Sequence, residues 1–165
     1  MKVRLFALVL GGILTATGIL ALLPNGLDAP SYLPNYPVDA GLSSGLGNFM
    51  GLFPTNIYSA ALHIILGLVG IISYTTGATA KLYSGSIAVL FGLFGIMGLV
   101  PALDTALGTM PLYGANVPFH IVVAAIAAYF GFIQTETLIF NRPDSPELPG
   151  NNPVAKRLEE AGMIN

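Results

Sequence analysis

Four stretches of this chain, at about 5–23, 57–74, 82–100 and 117–133, are apolar and contain no Asp, Glu, Lys or Arg. At 1.5 Å per residue each comes close to the ~30 Å of hydrocarbon in a bilayer. A barrel wall would need shorter strands with period-two alternation, which these runs lack. A backbone in lipid must satisfy its own hydrogen bonds, so the runs are expected to be helices. Composition agrees: the 165 residues are 54% hydrophobic and only 8% charged, against about 25% charged in an average soluble domain. The expected fold class is therefore all-α, a four-transmembrane-helix bundle. It should form one membrane domain over 1–140, with an outer loop at 24–54, followed by a polar tail at 141–165.

Composition also excludes functions. The absence of cysteine removes a disulfide scaffold, a thiolate metal site and a cysteine nucleophile. A net charge of −2 is wrong for a polybasic nucleic-acid binder. Lys2 and Arg4 before the first run suggest a secretory signal. However, the run exceeds the usual 7–15 residue core. It ends in Leu22-Leu23-Pro24-Asn25 rather than a small-residue cleavage site, so a true span is expected.

Charge distribution sets an orientation. The basic residues are Lys2, Arg4, Lys81, Arg142, Lys156 and Arg157, at the N-terminus, between the second and third runs, and in the tail. The connectors after the first and third runs hold none of them, but do hold Asp28, Asp39 and Asp104. Four spans place every Lys and Arg on one face, and the positive-inside rule makes that face cytoplasmic, with both termini inside. The outer connector is rich in turn residues, among them Pro24, Pro30, Pro34, Pro37, Gly41 and Gly51. Its segment Leu46 to Phe53 is apolar enough to lie along the interface. In the tail, Pro153 to Glu160 suits a short amphipathic helix.

The chain also matches itself. Shifted by 77, Arg4-Leu5-Phe6 falls on Lys81-Leu82-Tyr83, Gly18-Ile19 on Gly95-Ile96 and Pro24 on Pro101. Shifted by 57, Gly51, Pro54, His63 and Ile64 fall on Gly108, Pro111, His120 and Ile121. Two helical hairpins that both start inside would be parallel repeats, related by a pseudo-two-fold axis along the membrane normal.

Helical spacing puts Asn56, Ser59, His63, Gly67 and Gly70 on one face of the second run. The matching face of the fourth is His120, Ala124, Ala127, Ala128 and Gly131. Gly11, Thr15 and Gly18 line up in the first run, and Ala88, Gly92 and Gly95 in the third. Small residues at this spacing let membrane helices approach closely, so these faces are expected to look inward, mainly for packing.

His63 and His120 are the only histidines, each nine residues after a proline and so at similar depth in the outer half. An ionisable group at membrane depth is a candidate functional residue. On a structural reading, each neutral imidazole hydrogen-bonds Asn56, Ser59, Asn116 or backbone and holds helices together. Alternatively, the pair ligates a tetrapyrrole cofactor, haem or chlorophyll, with Asn56 and Ser59 as polar neighbours. A proton relay ranks last, because the spans hold no carboxylate and Glu136 sits near the cytoplasmic end. Gly41-Leu42-Ser43-Ser44-Gly45 matches a nucleophile elbow only in letters, with neither the strand nor the helix that the motif needs. No metalloprotease, Walker A or acidic metal motif is present, so no enzyme is expected.

The pattern Gly51-Leu52-Phe53-Pro54-Thr55-Asn56, then His63, Gly67 and Gly70, joined to Pro111 and His120, resembles a known family. It is similar to the small bacterial four-helix membrane proteins catalogued only as a domain of unknown function, over about Lys2 to Phe140. The resemblance implies a four-helix bundle and supplies no activity. Family members occur in photosynthetic bacteria among others, which keeps a thylakoid membrane beside the plasma membrane as the location. The expected function is a non-enzymatic accessory or scaffold subunit, its partners being membrane lipids and other integral membrane subunits. The alternatives are a tetrapyrrole-binding subunit and a small-solute carrier.

Overall fold

The computed structural model describes residues 2–29, 43–134 and 153–163. Pro30, Pro34, Pro37 and Gly41 of the outer connector, Glu136, and the start of the polar tail lie outside the described residues. The chain is mostly helical: α1 is Lys2–Leu22, α2 is Ile57–Ser73, α3 is Gly77–Gly98, α4 is Asn116–Ala128 and α5 is Pro153–Glu160. The expected tail helix is thus present. Helix α4 continues through a π-helical turn, Tyr129–Ile133, closed by Gln134 N–H donating to Tyr129 O at 2.8 Å.

Helices α1, α3 and the continuous Asn116–Ile133 are long and apolar enough to cross a membrane, and α2 is a shorter apolar helix. Their outward faces carry Leu5, Val9, Ile65, Leu82, Ile96 and Val122, all exposed. So much outward apolar surface is foreign to a water-soluble globule and natural in lipid.

The close contacts fall in two antiparallel pairs. Along α1 and α2, Arg4 meets Tyr74, Gly11 meets Gly67 and Gly70, and Gly18 meets Ala60 and Ile64. Along α3 and α4, Gly85 meets Gly131, Gly92 meets Ala124, Gly95 meets Ile121 and Gly98 meets Val117. Val3, Ala7, Leu10 and Leu14 of α1 join Ala80, Tyr83, Ile87 and Phe91 of α3 in a shared core. The end of α2 is covered from its partner helix. Arg4 Nε donates to Tyr74 O at 2.7 Å while its guanidinium lies over the Tyr74 ring, so a cation covers the carbonyl end of α2.

The third run was expected from 82, but α3 starts at Gly77. Thr76 caps it, accepting from Thr79 N–H at 3.1 Å, and the Thr79 hydroxyl donates to Ser73 O at 2.9 Å. Lys81 ends the apolar run without ending the helix, because a lysine near a membrane helix end snorkels to the headgroups. The outer connector, expected to be turn-rich coil, contains an antiparallel hairpin of β1 (Gly47–Phe49) and β2 (Phe53–Thr55). Met50 and Gly51 at its tip both have positive φ, at 55° and 69°. Three residues, Met50 to Leu52, join the strands, with two successive left-handed positions at the turn and Met50 where Asn, Asp or Gly is usual.

The small faces are mechanically required. A Cβ on Gly11 would lie 2.6 Å from Gly67 O and 2.7 Å from Ile71 N, both backbone atoms, whereas one on neighbouring Gly12 would meet nothing within 4 Å. Gly11→Ala should therefore cost about 1–3 kcal/mol through forced separation of the helices. Gly12→Ala should leave stability unchanged or slightly higher. Thermal unfolding of the two variants in the same detergent tests this; equal midpoints would contradict the packing.

Candidate functional site

The polar residues gather at one end of the helices, under the loops that precede α2 and α4. Asn56 and Ser59 form a capping box at the start of α2. Ser59 N–H donates to Asn56 Oδ1 at 3.0 Å, and Asn56 N–H to Ser59 Oγ at 2.9 Å. The Asn56 side-chain NH2 also donates to Thr109 O at 2.7 Å, in the loop before α4. Asn116 makes the return connection: its NH2 donates to Pro54 O at 2.7 Å and to Pro111 O at 2.9 Å. Two asparagines thus tie the two loops together. Asn56 is fully buried and Asn116 nearly so, where unpaired loop carbonyls would be costly.

The imidazoles lie just beneath. His63 is half-buried and His120 is 4% exposed. Both rings lie beside Phe91, at 6.4 Å for His63 and 5.1 Å edge-on for His120. Phe94 and Phe119 flank His120 at 5.6 and 5.8 Å. The expected imidazole bonds to Asn56, Ser59 or Asn116 are not made. The two residues at the start of α2 cap each other and Asn116 serves the loop carbonyls. His120 Nδ1 is buried with no hydrogen-bond partner among the described residues.

A cavity of about 20 Å³ lies between the histidines and the loops, lined by His63, His120, Ser59, Asn116, Met110 and Thr55 among others. That holds about one water molecule. A shallower groove of about 140 Å³ lies on the other side of His63, against Ile13, Thr17, Phe53 and Phe119. Organic cofactor sites run to roughly 300–1,000 Å³. A macrocycle bridging the two imidazoles therefore does not fit these residues. Among the described residues there is no cluster of three or more His, Cys, Asp and Glu.

The family described as a domain of unknown function, DUF4383, matches residues 4–133. The chain belongs to this family. No curated protein and no solved structure matches it significantly. The DUF4383 match runs from Arg4, at the start of α1, to Ile133, the last residue of the π-turn. It takes in the hairpin, both asparagines and both histidines, and leaves the tail helix out. The resemblance seen in the Asn56, His63, Gly67 and Gly70 spacing therefore falls within the family domain.

Sequence reasoning brought His63, His120, Asn56 and Ser59 to one region and the structure keeps them there. It missed Phe91, the ring common to both histidines, and Met110, which reaches the cavity from the loop. The only signal for Phe91 was that it falls on Leu14 in the 77-residue shift, since an apolar residue in an apolar run carries no other mark.

The asparagines yield a direct expectation. Asn56→Ala removes a helix cap and one loop tie and should cost about 1–2 kcal/mol. Asn116→Ala leaves two carbonyls without their donor and should cost about 1–3 kcal/mol. Thermal unfolding in detergent measures both, and wild-type midpoints would show that the loops stand without these bonds.

Proposed function

We propose that the protein is a non-enzymatic accessory or scaffold subunit of a larger membrane complex. It would be a four-helix bundle of two parallel hairpin repeats, with both termini cytoplasmic. What supports the subunit reading most is where the open space lies. The cavity at the inward polar groups has room for one water, while a concavity of about 780 Å³ runs along the outside of α3 and the π-helical turn that follows α4. Ala78 and Ser86 on that outer surface are small and exposed, the residue type against which another membrane helix packs closely. Lys81 at one end offers an ionic partner. The small internal cavity weighs against a carrier with a watery path around Asn56, Ser59 and His63, and against an enclosed tetrapyrrole.

Three features support the repeat. The buried positions Val3, Ala7, Leu10, Gly11, Leu14 and Gly18 fall, 77 residues on, upon Ala80, Ser84, Ile87, Ala88, Phe91 and Gly95, all buried too. Gly18 packs on Ile64, and its counterpart Gly95 packs on Ile121, the counterpart of Ile64. Met50-Gly51 and Leu107-Gly108, 57 residues apart, are both left-handed pairs. Chance matching of apolar letters would not reproduce backbone conformation.

Two experiments test the reading. Because the natural chain has no cysteine, single-cysteine variants report topology cleanly. In sealed vesicles with the outer face exposed, Asp104→Cys should react with an impermeant maleimide and Lys81→Cys only after lysis; the reverse pattern would invert the orientation. For the subunit role, Ser86→Trp, at an exposed position in the outer concavity, should abolish cross-linking to a neighbouring membrane protein while leaving helical content intact. A wild-type chain that stays monomeric in mild detergent and cross-links to nothing would remove the role.

A further inference from the structure

The cavity between the two histidines has a donor set that its structural neighbours do not use. His120 is almost wholly buried, its Nδ1 has no partner among the described residues, and neither Asn56, Ser59 nor Asn116 bonds an imidazole. Met110, half-buried in the loop before α4, lines the same cavity and adds a thioether. Such groups recur as ligands of metals, and what they share is neutrality and softness: two imidazoles, one thioether, no carboxylate and no thiolate lining the cavity.

We propose that His63, His120 and Met110 form a binding site for a single copper(I) ion. Three arguments select this ion. The first is coordination number: only three soft or borderline donor residues line the cavity, while a structural zinc site takes four ligands and magnesium or calcium takes oxygen. Thioether donors favour copper(I). The second is charge. An ion held beneath the loops of a membrane protein by neutral ligands keeps its full charge, and the cost of removing a charge from water rises with its square, so a monovalent ion is favoured over a divalent one. The third is size, since about 20 Å³ accepts one ion or one water and nothing larger. Phe91, Phe94 and Phe119 pack around the His120 ring and Phe91 also against His63, a role usually taken by hydrogen-bonding partners in more polar sites. The site is independent of the subunit role: a copper(I)-binding chain could sit in a complex or alone.

The test is anaerobic titration of the full chain in detergent with copper(I) against bicinchoninate as a competing chelator. One ion per chain is expected, with X-ray absorption showing nitrogen and sulfur neighbours. Met110→Leu should weaken binding about tenfold or more and remove the sulfur signal without moving the unfolding midpoint. His63→Ala and His120→Ala should each weaken it by a similar factor or more, taking the 10–100-fold cost of disturbing even an outer-shell partner as a floor. A folded wild-type chain that binds no copper(I) overturns the site. So does binding that persists in the His63→Ala/His120→Ala double variant, or a spectrum with oxygen neighbours only. Should the histidine variants fail to fold, the Met110→Leu titration and the wild-type spectrum still decide the question.

Discussion

Close approach of small residues is the interaction on which the rest of this structure rests. In lipid the hydrophobic effect gives no drive to bring one apolar helix to another, so packing and hydrogen bonding must supply it. Gly11, Gly67 and Gly70 let α1 and α2 touch backbone to backbone, and Gly85 with Gly131 does the same for α3 and α4. Hydroxyls within the helices stay out of the way by bonding their own preceding turn, as Thr15 does to Gly11 O and Ser84 to Ala80 O. Only then can Leu14 and Phe91 fill the space between the pairs, and only then do both histidines come to lie beside Phe91.

At one end the loops introduce carbonyls that no helix satisfies. Asn56 and Asn116 answer this with bonds that cross from each helix start to the other loop. The arrangement explains why polar residues crowd the first turns of α2 and α4, and why they are unavailable to the imidazoles. The histidines are left among aromatic rings, with a small void beside them. Among the described residues, a pattern that reads as a polar site in the sequence therefore separates into a structural part, the asparagines and Ser59, and a part that these residues do not bond, His63, His120 and Met110.

The hairpin and the early start of α3 show where sequence pattern and structure part company. The strands were hidden because their three-residue loop puts Met50 at a left-handed position where Asn, Asp or Gly is the usual signal, and because Pro54 counts against a strand until the strand is seen to be a short edge. Helix α3 was shortened at Lys81 because hydropathy marks where lipid begins, not where helical hydrogen bonding begins. Thr76, a threonine cap five residues upstream of Lys81, held the boundary.

Unaided, the sequence marked four uncharged apolar runs, three of which form helices long and apolar enough to cross a membrane, set apart from the rest by where charge falls. It determined which helix faces are small, because spacing at 3.6 residues per turn is a local property. It also determined the family, through residues local to two helices. Tertiary structure alone decided which polar atoms are already engaged, since that depends on contacts such as Asn56 to Thr109 and Asn116 to Pro54, more than fifty residues apart in the chain. It alone decided the room left beside the histidines, because a cavity is the difference between neighbouring surfaces and belongs to no single segment.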